Sequence, residues 1–315
     1  MKLSIVIVNF NGGKLILSCI ESIIRETKID KYEIIVVDND SSDNSIEKIR
    51  EYYPFVNIIK NVTNIGFSAA NNIGFKVARG EFILLLNPDT LITDGAINKS
   101  LGYAQEHTEV GLLGCEVLWG TGGRQSTLIK FPTLKDIVIN MFVPYKIMRK
   151  NRWLGQSRYV GVDYSCEQDV DVIAGCYMMV NRAVLAEVGG LDEDFFMFGE
   201  EIEWCWRMYQ SGRKVRYFPG SSIIHYGGGC STSLSFRKVL LIAKGQLMVF
   251  KKTRGAIVAL VANVLMLIRD LPRVIMWLML RLINKNKADQ SISLKASYVR
   301  FFYLFFYLIG FEKKI

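Results

Sequence analysis

Among its 315 residues the chain has no C-x-x-C pair, no G-x-G-x-x-G, no Walker-type lysine loop and only two histidines. Each absence removes a class of protein. Without paired cysteines, a structural zinc or a dithiol redox centre has no ligands at the usual spacing. The six cysteines (Cys19, Cys115, Cys166, Cys176, Cys205, Cys230) read instead as reduced, mostly buried thiols. The missing glycine fingerprint and phosphate-loop lysine speak against a Rossmann dehydrogenase and a kinase. No apolar run reaches the roughly 18 to 20 residues of a membrane span, because Arg269-Asp270 and Pro272-Arg273 interrupt the longest one. The amino-terminal run Leu3 to Val8 is too short for a signal-peptide core and reads as a buried first strand, so the chemistry is expected in the cytoplasm. No internal repeat is present.

What is there is ample apolar material and a basic excess. Half the residues are hydrophobic, enough for a full core plus an appendage. Lys and Arg number 39 against 30 Asp and Glu, for a formal net charge of +9. The excess gathers late, among Lys251, Lys252, Arg254, Arg269, Arg273 and Arg281, interleaved with apolar residues. That pattern suits an anionic membrane surface better than nucleic acid.

The first part of the chain alternates strand-like and helix-like runs: Leu3 to Asn9, Leu15 to Arg25, Glu33 to Val37, Ser45 to Tyr53, Val56 to Lys60, Ser68 to Ala78 and Phe82 to Leu86. Such alternation with unbroken apolar strands predicts a mostly parallel α/β sheet covered on both faces. From about 120 to 168 the pattern loosens and reads as an insertion or lid. A strand over 170–180, a helix from Glu200 to Gln210, and strands near 215–218 and 223–225 follow. After them come four apolar, helix-length stretches: 239–250, 256–268, 274–283 and 298–309. The domain organisation expected is 1–232 for the α/β domain and 233–315 for a helical membrane-associating or oligomerisation region, which leaves a homo-oligomer open.

Ligands of such sheets collect beyond the carboxyl ends of the strands. Three of those ends are polar: Asn9-Phe10-Asn11-Gly12-Gly13, Asp38-Asn39-Asp40-Ser41-Ser42-Asp43 and Asn87-Pro88-Asp89-Thr90. Asn64-Ile65-Gly66-Phe67 and Asn71-Asn72 flank the start of a helix between them. A carboxylate such as Asp89 can hold Mg²⁺ or Mn²⁺ while diphosphate oxygens complete its sphere, or it can simply cap the next helix. Asp38 and Asp40 can accept from a base or ribose, or cap the helix that follows. Helix starts near Asn11-Gly12-Gly13 and Phe67 can offer backbone N–H groups to phosphates. His225, ahead of Gly227-Gly228-Gly229, is a further metal ligand or a structural histidine. Glu200 and Glu201 stand among aromatics, where a carboxylate can act as a general base or serve the helix dipole.

As an ordered set, Ile5-Val6-Ile7-Val8-Asn9-Phe10-Asn11, Val37 through Asp43, Asn64-Ile65-Gly66-Phe67 with Asn71-Asn72, Leu86-Asn87-Pro88-Asp89 and Phe195 through Arg207 resemble the family 2 glycosyltransferases. These are inverting enzymes of the GT-A fold, a Rossmann-like nucleotide-binding mixed sheet flanked by helices, and the likeness is greatest to the rhamnosyltransferase-like branch. The resemblance implies that Asp38 contacts the base, that Asp40 lies near the ribose, and that Asn9, Asn11, Asn64, Gly66, Asn71 and Asn87 line the nucleotide-sugar site. It also implies that Asp89, helped by His225, holds Mg²⁺ or Mn²⁺, and that Glu201, or its neighbour Glu200, is the base.

The expected donor is a dTDP- or UDP-sugar, with dTDP-L-rhamnose first. The expected acceptor is a polyprenyl-linked glycan of cell-surface polysaccharide, at the cytoplasmic face of the plasma membrane. The competing readings are a non-catalytic nucleotide-sugar-binding scaffold and a sugar-phosphate nucleotidyltransferase. The latter calls for a glycine-rich basic loop that Asn9-Phe10-Asn11-Gly12-Gly13-Lys14 matches poorly.

Overall fold

Unbroken runs of Ile, Val and Leu suit positions covered on both faces, and the first strand occupies such a position. The computed structural model describes residues 1–143, 163–227, 236–283 and 292–309. β1 (Leu3–Asn9) is buried at every position. It pairs in parallel with β2 (Tyr32–Asp38) and with β4 (Phe82–Leu86), while β3 (Asn57–Lys60) extends the set beyond β2. The crossovers are α1 (Gly13–Glu26), α2 (Ser45–Tyr52) and α3 (Phe67–Val77). α1 sets Ile16, Ile20 and Ile23 in one core with Leu3, Ile5 and Ile7. α3 lies so close to the opposite face that a Cβ on Gly74 would come within 2.3 Å of Val6 Cγ1.

Beyond β4 the sheet changes direction. β5 (Thr90–Ile92), α4 (Ala96–Glu106), β6 (Val110–Trp119), β7 (Leu128–Ile129) and α5 (Leu134–Phe142) follow in the chain. After them come β8 (Gln168–Asp169), β9 (Val172–Ile173), β10 (Tyr177–Asn181), α6 (Arg182–Val188), α7 (Glu200–Gln210) and β11 (Lys214–His225). β10 is antiparallel to both β4 and β6, β11 is parallel to β6, and β5 closes the edge against β11. The order is β3-β2-β1-β4-β10-β6-β11-β5, with β8 pairing to β11, and β7 and β9 form a separate ladder. The result is a mixed α/β sheet flanked by helices.

Three expectations change. The strand expected over 170–180 is divided between β9 and β10, because the chain turns at Gly175-Cys176. The two strands expected near 215 and 223 are one strand with a register shift between Phe218 and Ser222, where Pro219 withholds a ladder donor. The stretches 256–268 and 274–283 are one helix, α9 (Ala256–Ile283), which runs through Pro272. Pro272 sits on the exposed side, where water can take the carbonyl it leaves unbonded. The described part of the expected insertion holds β7 and α5; residues 144–162, like Gly228, Gly229 and Cys230, lie outside the described residues.

The chain divides into two compact units, Met1–Phe131 with Val162–Phe196 and Glu200–Thr232, and Pro132–Gly161 with Met197–Gly199 and Ser233–Ile315. The first contains the sheet. The second packs α5, α8 (Phe236–Arg254), α9 and α10 (Ile292–Leu308) around Ala243, Leu247, Phe250, Ala262, Met266 and Leu304. Within it, Gly245 admits the Phe198 carbonyl to a place where a Cβ would lie 1.9 Å from the oxygen. Ile257, Val261, Val264, Ile268, Leu271, Ile275, Leu278 and Leu282 recur every three or four residues along α9 and are 39–89% exposed. They form an apolar stripe along the helix. No helix among the described residues is long and apolar enough to cross a membrane.

Cys19, Cys115, Cys176 and Cys205 are buried free thiols and Cys166 is exposed. Burial pushes the Cys19 and Cys176 thiols up to about 12. Iodoacetamide at neutral pH is therefore expected to modify Cys166 in the native protein and to reach these four only after unfolding, as read by peptide mass spectrometry.

Candidate active site

The ends of β1 and β2 meet through one buried amide. Asn9 Nδ2 lies 3.0 Å from Asp38 Oδ1, 3.0 Å from Ser41 Oγ and 2.9 Å from Ser45 Oγ, while its oxygen accepts from Gly12 N at 3.2 Å. That last bond fixes which end of the amide is oxygen. Asn11 N donates to Ser41 Oγ at 2.9 Å, and Asn11 Oδ1 accepts from Ser42 N at 2.8 Å. Gly13 N donates to Asp43 Oδ2 at 2.8 Å. Burial of Asp43 pushes its pKa upward, but the bonds from Ser45 and Gly13 outweigh it and hold the carboxyl below its ordinary value.

These bonds alter two expectations. The N–H groups of Asn11, Gly12, Gly13 and Phe67 are already engaged, the last to Phe196 O at 2.7 Å, so they are not a cradle for phosphate here. Asp38, expected at a nucleotide base, is fully buried, with its oxygens accepting from Asn9 Nδ2 and from Ser41 N at 3.3 Å. Asp40 is the exposed carboxylate of that strand end, held at φ +66°.

Asn39, which sequence reasoning passed over, carries the network onward. Its Nδ2 donates to Asn64 Oδ1 at 3.2 Å and Gly66 O at 2.9 Å, and its Oδ1 accepts from Asn61 Nδ2 at 2.9 Å. Gly66 is required twice over: φ is +91°, and a Cβ would lie 2.6 Å from the Phe196 carbonyl oxygen. Asn71 is buried and bonds Phe67 O at 2.9 Å. Its neighbour Asn72 holds the 189–193 turn, donating to Leu191 O at 2.8 Å and Glu193 Oε1 at 2.9 Å and accepting from Leu191 N at 2.9 Å. The same turn is gripped by α7, whose Arg207 pairs with Glu203 at 2.8 Å and donates to Val188 O and Gly190 O, each at 2.6 Å.

The third strand end brings Asn87, Asp89 and His225 together. His225 Nε2 lies 3.2 Å from Asp89 Oδ1 and 3.5 Å from Asn87 Nδ2, and Asn87 Oδ1 is buried with no hydrogen bond among the described residues. Gln125, a second residue the sequence did not single out, settles the imidazole. Its amide nitrogen donates to Leu118 O at 3.2 Å and to the His225 carbonyl, so its oxygen faces His225 Nδ1 at 3.1 Å. Nδ1 therefore carries hydrogen, and in the neutral ring Nε2 presents a lone pair to the Asp89 carboxylate. A cation placed between the two would be met by both.

No group of three or more His, Cys, Asp or Glu that could hold a metal occurs among the described residues. One carboxylate, one imidazole and the amide oxygen of Asn87 still fit a divalent ion that takes its other ligands from substrate phosphate and water. Glu201 approaches from α7. Asn87 N donates to Cys176 O at 3.0 Å, and the Cβ position of the adjacent Gly175 lies 3.8 Å from Glu201 Cβ. Glu201 is partly exposed, whereas Glu200 is buried.

Residues 4–189, well over half the chain, match the model for glycosyl transferase family 2. The chain belongs to that family. It is 24% identical over 208 residues to an N-acetylglucosaminyl-diphospho-decaprenol L-rhamnosyltransferase of Mycobacterium tuberculosis, covering 61% of this chain and 66% of that one. It is 26% identical over 207 residues to rhamnosyltransferase WbbL of Escherichia coli, covering 62% and 74%. Among solved structures, Staphylococcus aureus TarS superposes with a TM-score of 0.52 at 16% identity, covering 81% of this chain and 44% of TarS. GalNAc-T7 with UDP, GalNAc and Mn²⁺ superposes with a TM-score of 0.55 at 17% identity, covering 79% and 50%. The chain thus spans less than two thirds of the length of the mycobacterial relative and of both structures. These likenesses show the GT-A-like fold.

In this family 2 protein Asn9 is the bond whose loss is most easily read. Asn9→Ala leaves buried partners unsatisfied and is expected to lower unfolding stability by about 1–3 kcal/mol. In urea the midpoint falls and the slope is unchanged.

Proposed function

We propose that the chain transfers a sugar, with inversion, from a nucleotide-sugar to an acceptor hydroxyl. The observation that carries this reading is the meeting of Asp89 and His225 at a strand end that Glu201 approaches. Glu201 takes the proton of the acceptor hydroxyl, whose oxygen attacks the anomeric carbon as the bond to diphosphate breaks on the opposite face. The electron pair leaves with the nucleoside diphosphate. Asp89 and His225 would hold Mg²⁺ or Mn²⁺, which when bound would neutralise charge on that leaving group. Glu201 is preferred to Glu200 as base because it is the more accessible of the two. Exposure of Asp40 just beyond the end of β2 supports it as the carboxylate that meets the ribose, while Asp38, Asn9 and Asn64 hold the loops around it.

The rhamnosyltransferase names of the two relatives support L-rhamnose, carried on dTDP, as the sugar, with UDP-sugars next. The decaprenol diphosphate in one name supports a polyprenyl-linked glycan as acceptor. The basic, apolar helical unit supports a place on the cytoplasmic face of the plasma membrane, as a peripheral protein.

Purified protein given dTDP-, UDP- and GDP-sugars with Mg²⁺ or Mn²⁺ is expected to release nucleotide from one donor class. EDTA and Asp89→Ala abolish the release, and Glu201→Gln lowers acceptor-dependent turnover by about 10²–10⁴-fold. Binding without turnover, with lipid acceptor present and unaffected by either substitution, would overturn the reading. Gln125→Leu frees the imidazole to rotate or change tautomer and is expected to weaken Mn²⁺ affinity by about 10–100-fold in an electron paramagnetic resonance titration.

A further inference from the structure

We propose that the helical unit carries a phosphate site formed by Arg269, Arg273 and Arg300, through which it takes the phosphate headgroup of an anionic membrane lipid. The site rests on the membrane reading given above and is independent of the transferase chemistry. α8, α9 and α10 hold six, three and two Lys or Arg, eleven in all, against a single acidic residue, Asp270. Asp270 is fully buried and is met by all three guanidiniums: by Arg300 through Nε and, at 2.7 Å, through Nη2, by Arg269 Nε at 3.2 Å and by Arg273 Nη1 at 3.5 Å.

One carboxylate balances one guanidinium. The cluster keeps two positive charges in excess, with the Arg269 side chain only 15% exposed. Burial foremost, and then repulsion from Arg300 and Arg273 working against the pull of Asp270, lowers the Arg269 pKa from its ordinary value. Buried charge of one sign without its counterion is costly. A phosphate supplies the missing charge, with oxygens spaced for forked guanidinium donors. One turn beyond Arg273, Trp277 lies beneath Arg281, whose guanidinium is 4.9 Å from the ring centroid, and its buried Nε1–H has no hydrogen-bond partner among the described residues.

The apolar stripe bears on the source of that phosphate. It runs along the helix that bears Arg269 and Arg273, and the Arg273 side chain is 43% exposed. Arg269 and Arg273 follow the row of Ala262, Met266 and Trp277, away from the stripe, so it is the helical unit as a whole that favours lipid: an anionic interface covers exposed apolar residues with acyl chains while its phosphates attract the cationic side chains beside them. A second copy of the chain would bring another strongly cationic surface to the same stripe, which self-repulsion opposes.

Sedimentation of the full chain with vesicles of phosphatidylcholine, with and without phosphatidylglycerol, tests the proposal. Binding is expected only with phosphatidylglycerol. Arg273→Gln should weaken it about fivefold or more, and Lys251→Gln, at an exposed position of α8, should weaken it less. In phosphate-free buffer Arg273→Gln is expected to melt no lower than the parent, because like charge is relieved. Asp270→Asn is expected to melt lower and to recover with glycerol phosphate. No binding of the parent chain to any vesicle would sink the membrane reading itself. Equal losses for Arg273→Gln and Lys251→Gln would sink the phosphate site while leaving that reading standing. Stabilisation by inorganic phosphate without vesicle binding would make the ligand a free anion. A dimer in solution that ignores vesicles would make the occupant of the stripe a second copy. Either of the last two results overturns the lipid assignment.

Discussion

The amide of Asn9 is the joint on which the ligand-facing edge of the sheet depends. It is fully buried where two parallel strands end, a place from which no water can reach its hydrogens, so every bond must come from the protein. Its partners are Asp38, Ser41, Ser45 and Gly12, and this set dictates where both loops turn. Asn39 then relays that order to Asn64 and Gly66, and Gly66 lets Phe67 reach the Phe196 carbonyl. Loops that would otherwise wander are thus held in register by side-chain amides whose donors and acceptors are spent on one another.

The Asp89 and His225 pair is built on the opposite principle. There the bonds turn the lone pair of His225 Nε2 toward the Asp89 carboxylate, an arrangement that a positive charge between them would suit. Gln125 makes this so by spending its amide hydrogens on two backbone carbonyls and leaving only its oxygen for the ring. A network of mutually spent amides thus stands beside a carboxylate and an imidazole that face one another. Family 2 membership agrees with such an arrangement, because a glycosyltransferase must keep its strand ends rigid while its substrates come and go.

Much of this was legible in the sequence. The parallel half of the sheet follows from the alternation of apolar runs with helical patterns, since strands buried on both faces cannot be polar. Asn9, Asp38 and Asp89 follow from strand ends that turn abruptly polar. Less legible was the direction in which those polar groups face. Asp38 and the N–H groups of Asn11 and Gly13 look available on paper and are engaged by Asn9, Ser41 and Asp43, some thirty positions away. Gln125 left no local mark, because its meaning comes from His225, a hundred residues later. Pro272 reads as a break, yet α9 passes through it, since the bond it forfeits lies on the exposed side of the helix.

The place of β10 in the sheet constrains how the protein can be made. β10 lies between β4 and β6, so β6 cannot reach β4 until residues 177–181 have joined. The strands β3, β2, β1 and β4 are complete by Leu86, and Asn181 follows 95 positions later. At about 5–20 residues per second on the ribosome, the free edge of β4 waits roughly 5 to 20 seconds for its partner. During that interval an apolar strand edge is open to any other chain, and the nascent protein depends on rapid delivery of one short segment, or on a chaperone, to close it.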